Sequence, residues 1–141
     1  MLLNIPKSIS PDLLKILAEM GHGDEIAIVD SNFPAKSLKE KTIYISEENI
    51  LRFLKDILTV FPLDQFSEKN ILIMDSDSKE ITTFYKNYLK EFEYLEESTQ
   101  KIDRNIFYEK SKRSYAIVST SDESLYGCII LKKGIVSKYY K

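Results

Sequence analysis

Helix-type and strand-type apolar patterns alternate along this chain. That alternation predicts an α/β fold: one domain spanning residues 1–141, three α/β/α layers deep, around a mostly parallel sheet. Two observations carry the prediction. The runs Ile26-Ala27-Ile28-Val29 and Ile71-Leu72-Ile73-Met74 are short and continuously apolar, the pattern of strands covered on both faces. Amphipathic stretches with caps and stops lie between such runs, and no linker, internal repeat or low-complexity tract divides the chain.

The first element is a helix over Pro11–Met20. Ser10 suits the N-cap, Pro11 the first helical position, and Asp12 the positive end of the helix dipole. Leu13, Leu14, Ile16, Leu17 and Met20 fall on one face, and Gly21 stops the helix. Glu25–Asp30 then reads as a buried strand ending in a carboxylate. Ser31–Ala35 is a loop and Thr42–Ser46 a second strand. A helix follows over Glu47–Phe61, ended by Pro62. Asn70–Asp75 is a third strand, Lys79–Leu95 a charged amphipathic helix, Thr99–Ile102 a weak strand signal, and Asn105–Lys112 a helix. Tyr115–Thr120 and Tyr126–Lys132 close the pattern as strands.

Composition narrows the function classes. The apolar share of 43% and charged share of 30% are those of an ordinary globular protein. A net charge of −2, dispersed lysines and only three arginines argue against a nucleic-acid partner. One cysteine, Cys128, rules out an intramolecular disulfide and a cysteine-ligated zinc site, and fits a reducing, cytoplasmic setting. No apolar run approaches the roughly 20 residues that span a bilayer, and the N-terminus lacks a signal-peptide pattern, so no membrane association is expected.

The rare residues gather in two places. The chain has one histidine and four glycines, and Gly21-His22-Gly23 uses three of those five. A glycine-flanked imidazole on a sharp turn stands free of neighbouring side chains, and Asp24 or Glu25 is near enough in sequence to orient it. The plainer reading, a helix stop followed by an exposed loop histidine, stands beside the chemical one. The second place is Tyr126-Gly127-Cys128, where Gly127 marks either a tight turn or a close backbone approach. Arg104 lies at a strand-to-helix turn, where a surface salt bridge is the plainer reading. Asp30 ends the first strand, and ligands of open α/β sheets bind beyond such carboxyl ends. Phosphate-loop, dinucleotide and nucleophile-elbow motifs are absent from the sequence. Asp75-Ser76-Asp77-Ser78 lacks the glycine and glutamate of a calcium loop and reads as a surface loop.

Several segments, in order, carry a resemblance. They are Ile9–Lys15 leading into Leu17-Ala18-Glu19-Met20-Gly21-His22-Gly23-Asp24-Glu25-Ile26, then Asp30 with Phe33-Pro34-Ala35, Phe107-Tyr108-Glu109, Ala116-Ile117-Val118, and Tyr126-Gly127 with Ile130-Leu131-Lys132-Lys133-Gly134. Together they resemble the fucose/ribose mutarotase family, most closely its fucose branch. The resemblance implies an isomerase that interconverts the α and β anomers of a monosaccharide, L-fucose foremost, with no metal and no organic cofactor. By the same resemblance His22 is the proton donor, Tyr126 a second proton relay, and Asp30, Arg104, Tyr126, Gly127 and Cys128 bind substrate. It further implies ring-like homo-oligomers, often decamers, with sites near subunit boundaries. This chain departs from the fucose-branch pattern at Cys128, where that branch carries asparagine, and at Asn32 and Lys36, where it carries histidines. The alternatives are D-ribose pyranase activity and a catalytically weak sugar-binding or regulatory protein on the same scaffold.

Overall fold

The computed structural model describes residues 1–140. Its elements in chain order are α1 (Pro11–Glu19), β1 (Glu25–Val29), α2 (Ala35–Leu38), β2 (Thr42–Tyr44), α3 (Ile50–Ile57), β3 (Ile71–Met74) and α4 (Thr83–Glu91). They continue with a 3₁₀ turn at Glu93–Ser98, β4 (Thr99–Ile102), α5 (Arg104–Arg113), β5 (Ala116–Ser119) and β6 (Ile129–Lys132). The expected strands are all present. α1, α3 and α4 are shorter than their apolar patterns, α3 and α4 in part because polar side chains set their starts, while α5 runs one residue further at each end than its pattern. Asn49 accepts hydrogen bonds from the Leu51 and Arg52 amides and starts α3 three residues later than the pattern suggests. Thr82 does the same for α4 through the Tyr85 amide. The loop after β1 holds an additional four-residue helix, α2, too short to show a periodicity.

The six strands form one sheet in the order β2-β5-β1-β6-β3-β4. β1, β2 and β5 run parallel, as do β3 and β4; β6 alone is reversed, pairing antiparallel with both β1 and β3. The sheet is therefore mostly parallel, with its one antiparallel strand near the middle. Strand side chains alternate between faces. Ile26, Ile28, Ile71, Ile73, Val118 and Leu131 pack with α1, α3 and α4 on one face. Ala27, Val29, Leu72, Ile117 and Ile130 pack with Phe107 of α5 and Ala35 of α2 on the other. This is the predicted three-layer arrangement, and it explains the continuous apolar runs: both faces of the central strands are covered. Among the described residues, no helix is long and apolar enough to cross a membrane.

The reversal of β6 has a local consequence. The segment from Thr120 to Cys128 crosses the carboxyl end of β1 before the chain turns back, so it lies against Asp30. At the other edge, the end of β6 meets the turn that precedes β1, where His22 sits: the Gly23 amide donates to the Lys133 carbonyl at 2.8 Å. The sheet thus carries one polar cluster at each of the two edges formed by its strand ends.

Candidate functional site

At the carboxyl edge, Asp30 is 7% exposed, and both its oxygens are engaged. Oδ1 accepts from the Asn32 amide at 3.0 Å, and Oδ2 from the Gly127 amide at 3.2 Å and from Cys128 Sγ at 3.4 Å. Burial raises the Asp30 carboxyl above its ordinary 3.8, and these three donors offset only part of that cost. Cys128 is buried; desolvation, reinforced by the Asp30 charge, pushes its thiol well up, so it stays S–H and can donate. Gly127 and Cys128 thus face Asp30. The Cys128 backbone is occupied as well, its amide on the Tyr126 carbonyl and its carbonyl on the Met74 amide.

Tyr126 adopts a left-handed backbone, φ 58°, a conformation a bulky residue rarely takes outside a constrained site. Its hydroxyl accepts from the Asp77 amide at 3.3 Å, and the Asp77 carboxylate is paired with Arg104. Asp77, read from sequence as part of a plain surface loop, therefore links two predicted site residues. Arg104 opens α5 and forms the salt bridge that its sequence position suggested, but with a partner in this cluster. Asp30, Arg104, Tyr126, Gly127 and Cys128 accordingly share one end of the sheet. A groove of about 1030 Å³ between α3 and α4 reaches Tyr126.

His22 stands at the opposite edge. Its side chain is 47% exposed, and Nε2 lies 2.9 Å from Oδ1 of Asp64, whose side chain is 2% exposed. Neither acid next to it in sequence orients the ring. Asp24 Oδ2 instead accepts from the Gly21 amide at 2.7 Å, and Glu25 Oε2 lies 3.9 Å from Lys110 Nζ. Asp64 was missed because it lies 42 residues away in an irregular segment without a motif. The one sequence signal nearby is Pro62, which ends α3's pattern and marks where the chain turns toward the sheet. Burial alone would raise the Asp64 carboxyl, but hydrogen bonds from Ser67, His22 and the Phe66 amide outweigh it and hold the carboxyl at about 2. The Phe66 ring is tilted against the imidazole with centroids 5.3 Å apart. A cavity of about 400 Å³ beside His22 is walled by Leu17, Met20, Val60 and Pro62.

The five residues of β1 separate His22 from Asp30 by roughly 17 Å at the usual strand rise of about 3.3 Å per residue. That is far beyond the roughly 2.6–3.2 Å over which a proton is passed directly.

Residues 3–136 match the model of the RbsD / FucU transport protein family. The L-fucose mutarotase of Histophilus somni (strain 2336) is 39% identical over 140 residues, covering 96% of this chain and 97% of that protein. The crystal structure of the fucose mutarotase in complex with L-fucose from Streptococcus pneumoniae aligns with a TM-score of 0.89 at 43% identity, covering 96% of this chain and 100% of its own. Bacillus subtilis RbsD complexed with D-ribose aligns over 92% of this chain and 95% of its own at 20% identity and a TM-score of 0.69, a likeness of fold.

Proposed function

The chain belongs to the RbsD / FucU family, and from that premise we propose that it is a mutarotase interconverting the α and β anomers of L-fucose by proton transfer at His22. The observation that carries the reading is a half-exposed imidazole, the only one in the chain, backed by a buried carboxylate at the mouth of an apolar hollow. Anomers exchange when the hemiacetal ring opens. The bond from the anomeric carbon to the ring oxygen breaks, that oxygen takes up a proton, and the anomeric hydroxyl gives one up to become the aldehyde. Closure on the other face returns both protons. An imidazole, which titrates near neutrality, can give and take them, and a positioned group of this kind contributes about 10²–10⁴-fold. That suffices for a reaction that already proceeds unaided, so no metal need polarise the sugar.

At the other edge, Asp30 accepts hydrogen bonds from sugar hydroxyls, while Gly127 and Cys128 hold its carboxylate. Arg104 and Tyr126 hold the oxygens about the anomeric carbon, Tyr126 serving as the second relay. The span of β1 keeps these groups from His22 of the same chain. The reading therefore places each site between two copies, His22 of one meeting the Asp30 edge of the next. A contact of one edge with the opposite edge is heterologous, the kind of interface that builds a ring where its rotation closes. A decamer with its sites at subunit boundaries, working in the cytoplasm, fits this geometry and the lone unpaired thiol.

The test is saturation-difference NMR of anomer exchange on L-fucose and D-ribose. The wild type should accelerate exchange of L-fucose, and His22→Ala should lose about 100-fold or more of that acceleration while keeping its circular dichroism spectrum. Exchange of L-fucose unchanged in His22→Ala would remove the histidine from the reaction. Acceleration confined to D-ribose would move the reading to a pyranase.

A further inference from the structure

We propose that Asp122 is the positioning residue of the carboxyl edge: its carboxylate clamps the loop that carries Tyr126, Gly127 and Cys128 against Asp30. The inference rests on the reading of that edge as the place where sugar hydroxyls are held, and it adds what keeps the edge in shape.

Asp122 is only 5% exposed, yet every polar group it has is engaged. Oδ2 accepts from the amide of Ile50, the first residue of α3, at 2.8 Å, and Oδ1 from the Ser124 amide at 2.7 Å. Its own amide donates to Thr120 Oγ1 at 3.2 Å, and its carbonyl accepts from the Ser31 amide, next to Asp30, at 2.8 Å. Thr120 in turn donates twice to the Val29 carbonyl at the end of β1, through its amide at 3.0 Å and its hydroxyl at 2.8 Å. The Ser121 amide reaches the Glu47 carbonyl at 2.8 Å. The loop that leaves β5 is thus stitched to the end of β1 and to the start of α3 before it reaches Tyr126.

The bond to Ser124 passes this order on to the edge. Ser124 sits against Gly127: a Cβ added to that glycine would lie 3.1 Å from Ser124 Cβ and 3.4 Å from the Ser124 carbonyl oxygen. With Ser124 drawn onto Asp122 the chain must bend back at once, and Tyr126 takes the left-handed backbone that completes the bend. Gly127 and Cys128 then arrive with amide and thiol aimed at Asp30 Oδ2. A carboxylate suits position 122 where an amide does not. Both of its oxygens face backbone N–H groups, so an asparagine must turn its NH₂ toward one of them, donor against donor. Binding groups fixed in advance lose no affinity to ordering. Here they lie on an irregular loop whose Leu125 stands in solvent, so the clamp supplies what packing does not.

The wild type alone gives the first test. By NMR-detected hydrogen exchange, the Ser124 amide should exchange about 100-fold more slowly than in an unfolded chain, although it lies on a loop. Exchange at the unfolded rate overturns the proposal without any variant. Asp122→Asn should weaken L-fucose binding about tenfold in an NMR titration, the worth of one charge-assisted hydrogen bond, with the maximal exchange rate within about threefold of wild type. Asn49→Ala is the control. It strips the Leu51 and Arg52 amides of their cap at the same helix end, leaves the loop alone, and should keep wild-type affinity. Equal weakening in Asn49→Ala would trace the effect to α3 and overturn the clamp. Wild-type affinity in Asp122→Asn would overturn it too, while Asp30→Asn, titrated beside it, still reports on the edge. If Asp30→Asn also binds L-fucose as the wild type does, the reading beneath the inference falls with it.

Discussion

Asp30 and Asp64 are both buried carboxylates beside the same sheet, yet their surroundings push them in opposite directions. Asp30 is raised because burial outweighs its three donors; Asp64 is held at about 2 because its donors outweigh burial. The difference has a thermodynamic consequence with a definite sign. For Asp64 the unfolded chain binds the proton more tightly than the native one between about 3.8 and about 2. Its stabilising contribution is complete above that window and is lost as pH falls through it. The melting temperature of the wild type should therefore drop more between about pH 4.5 and about pH 2.5 than that of Asp64→Asn, measured by circular dichroism. Equal drops in the two proteins would show that Asp64 gains nothing from its partners. At this scale the sequence was informative where rarity speaks: the lone histidine between two glycines, and the tyrosine–glycine pair, stand out without coordinates. Asp64 does not stand out, because an aspartate in an irregular stretch acquires meaning only when the fold brings it to a ring 42 residues away.

Elements were legible to the extent that their burial is written in composition. Strands covered on both faces leave continuous apolar runs, and all six were visible, the weakest being β4, an edge strand whose Gln100 is exposed. Two things were hidden. The reversal of β6 leaves no periodicity behind, since parallel and antiparallel buried strands use the same residues. The true helix starts depend on Asn49 and Thr82 reaching particular amides, a matter of rotamers. The reversed strand nevertheless organises both edges, and its last turn offers a test. Gly134→Ala should destabilise the protein by about 1–3 kcal/mol, as forced overpacking does, since the new methyl meets the Leu63 backbone. It should also slow L-fucose exchange at temperatures where the protein is fully folded, through the His22–Asp64 alignment. Ile71→Val, in the core of β3, should cost a similar roughly 0.5–1.5 kcal/mol and leave exchange unchanged. Equal activity in the two variants would reduce Gly134 to a packing residue.

The whole molecule poses a problem that a single chain does not solve: its proposed proton-transfer group and its proposed sugar-binding groups occupy opposite edges of the sheet. No hinge about β1 can bring them together, because the strand between them is the buried centre of the fold. Two copies can, and the prediction is specific enough to measure. His22→Ala and Asp30→Asn should each be inactive alone. When the two are unfolded together in equal amounts and refolded as mixed oligomers, a boundary site is intact only if its histidine comes from the Asp30→Asn chain and its aspartate from the His22→Ala chain. Random assembly makes that so at about one site in four, so roughly a quarter of wild-type exchange activity should return. If histidine and aspartate served the same site from one chain, every site in the mixture would carry a lesion and none would recover. The same experiment reads the assembly, since activity should appear in the oligomer fraction of a sizing column and be absent when the two variants are refolded separately and then combined without exchange of subunits.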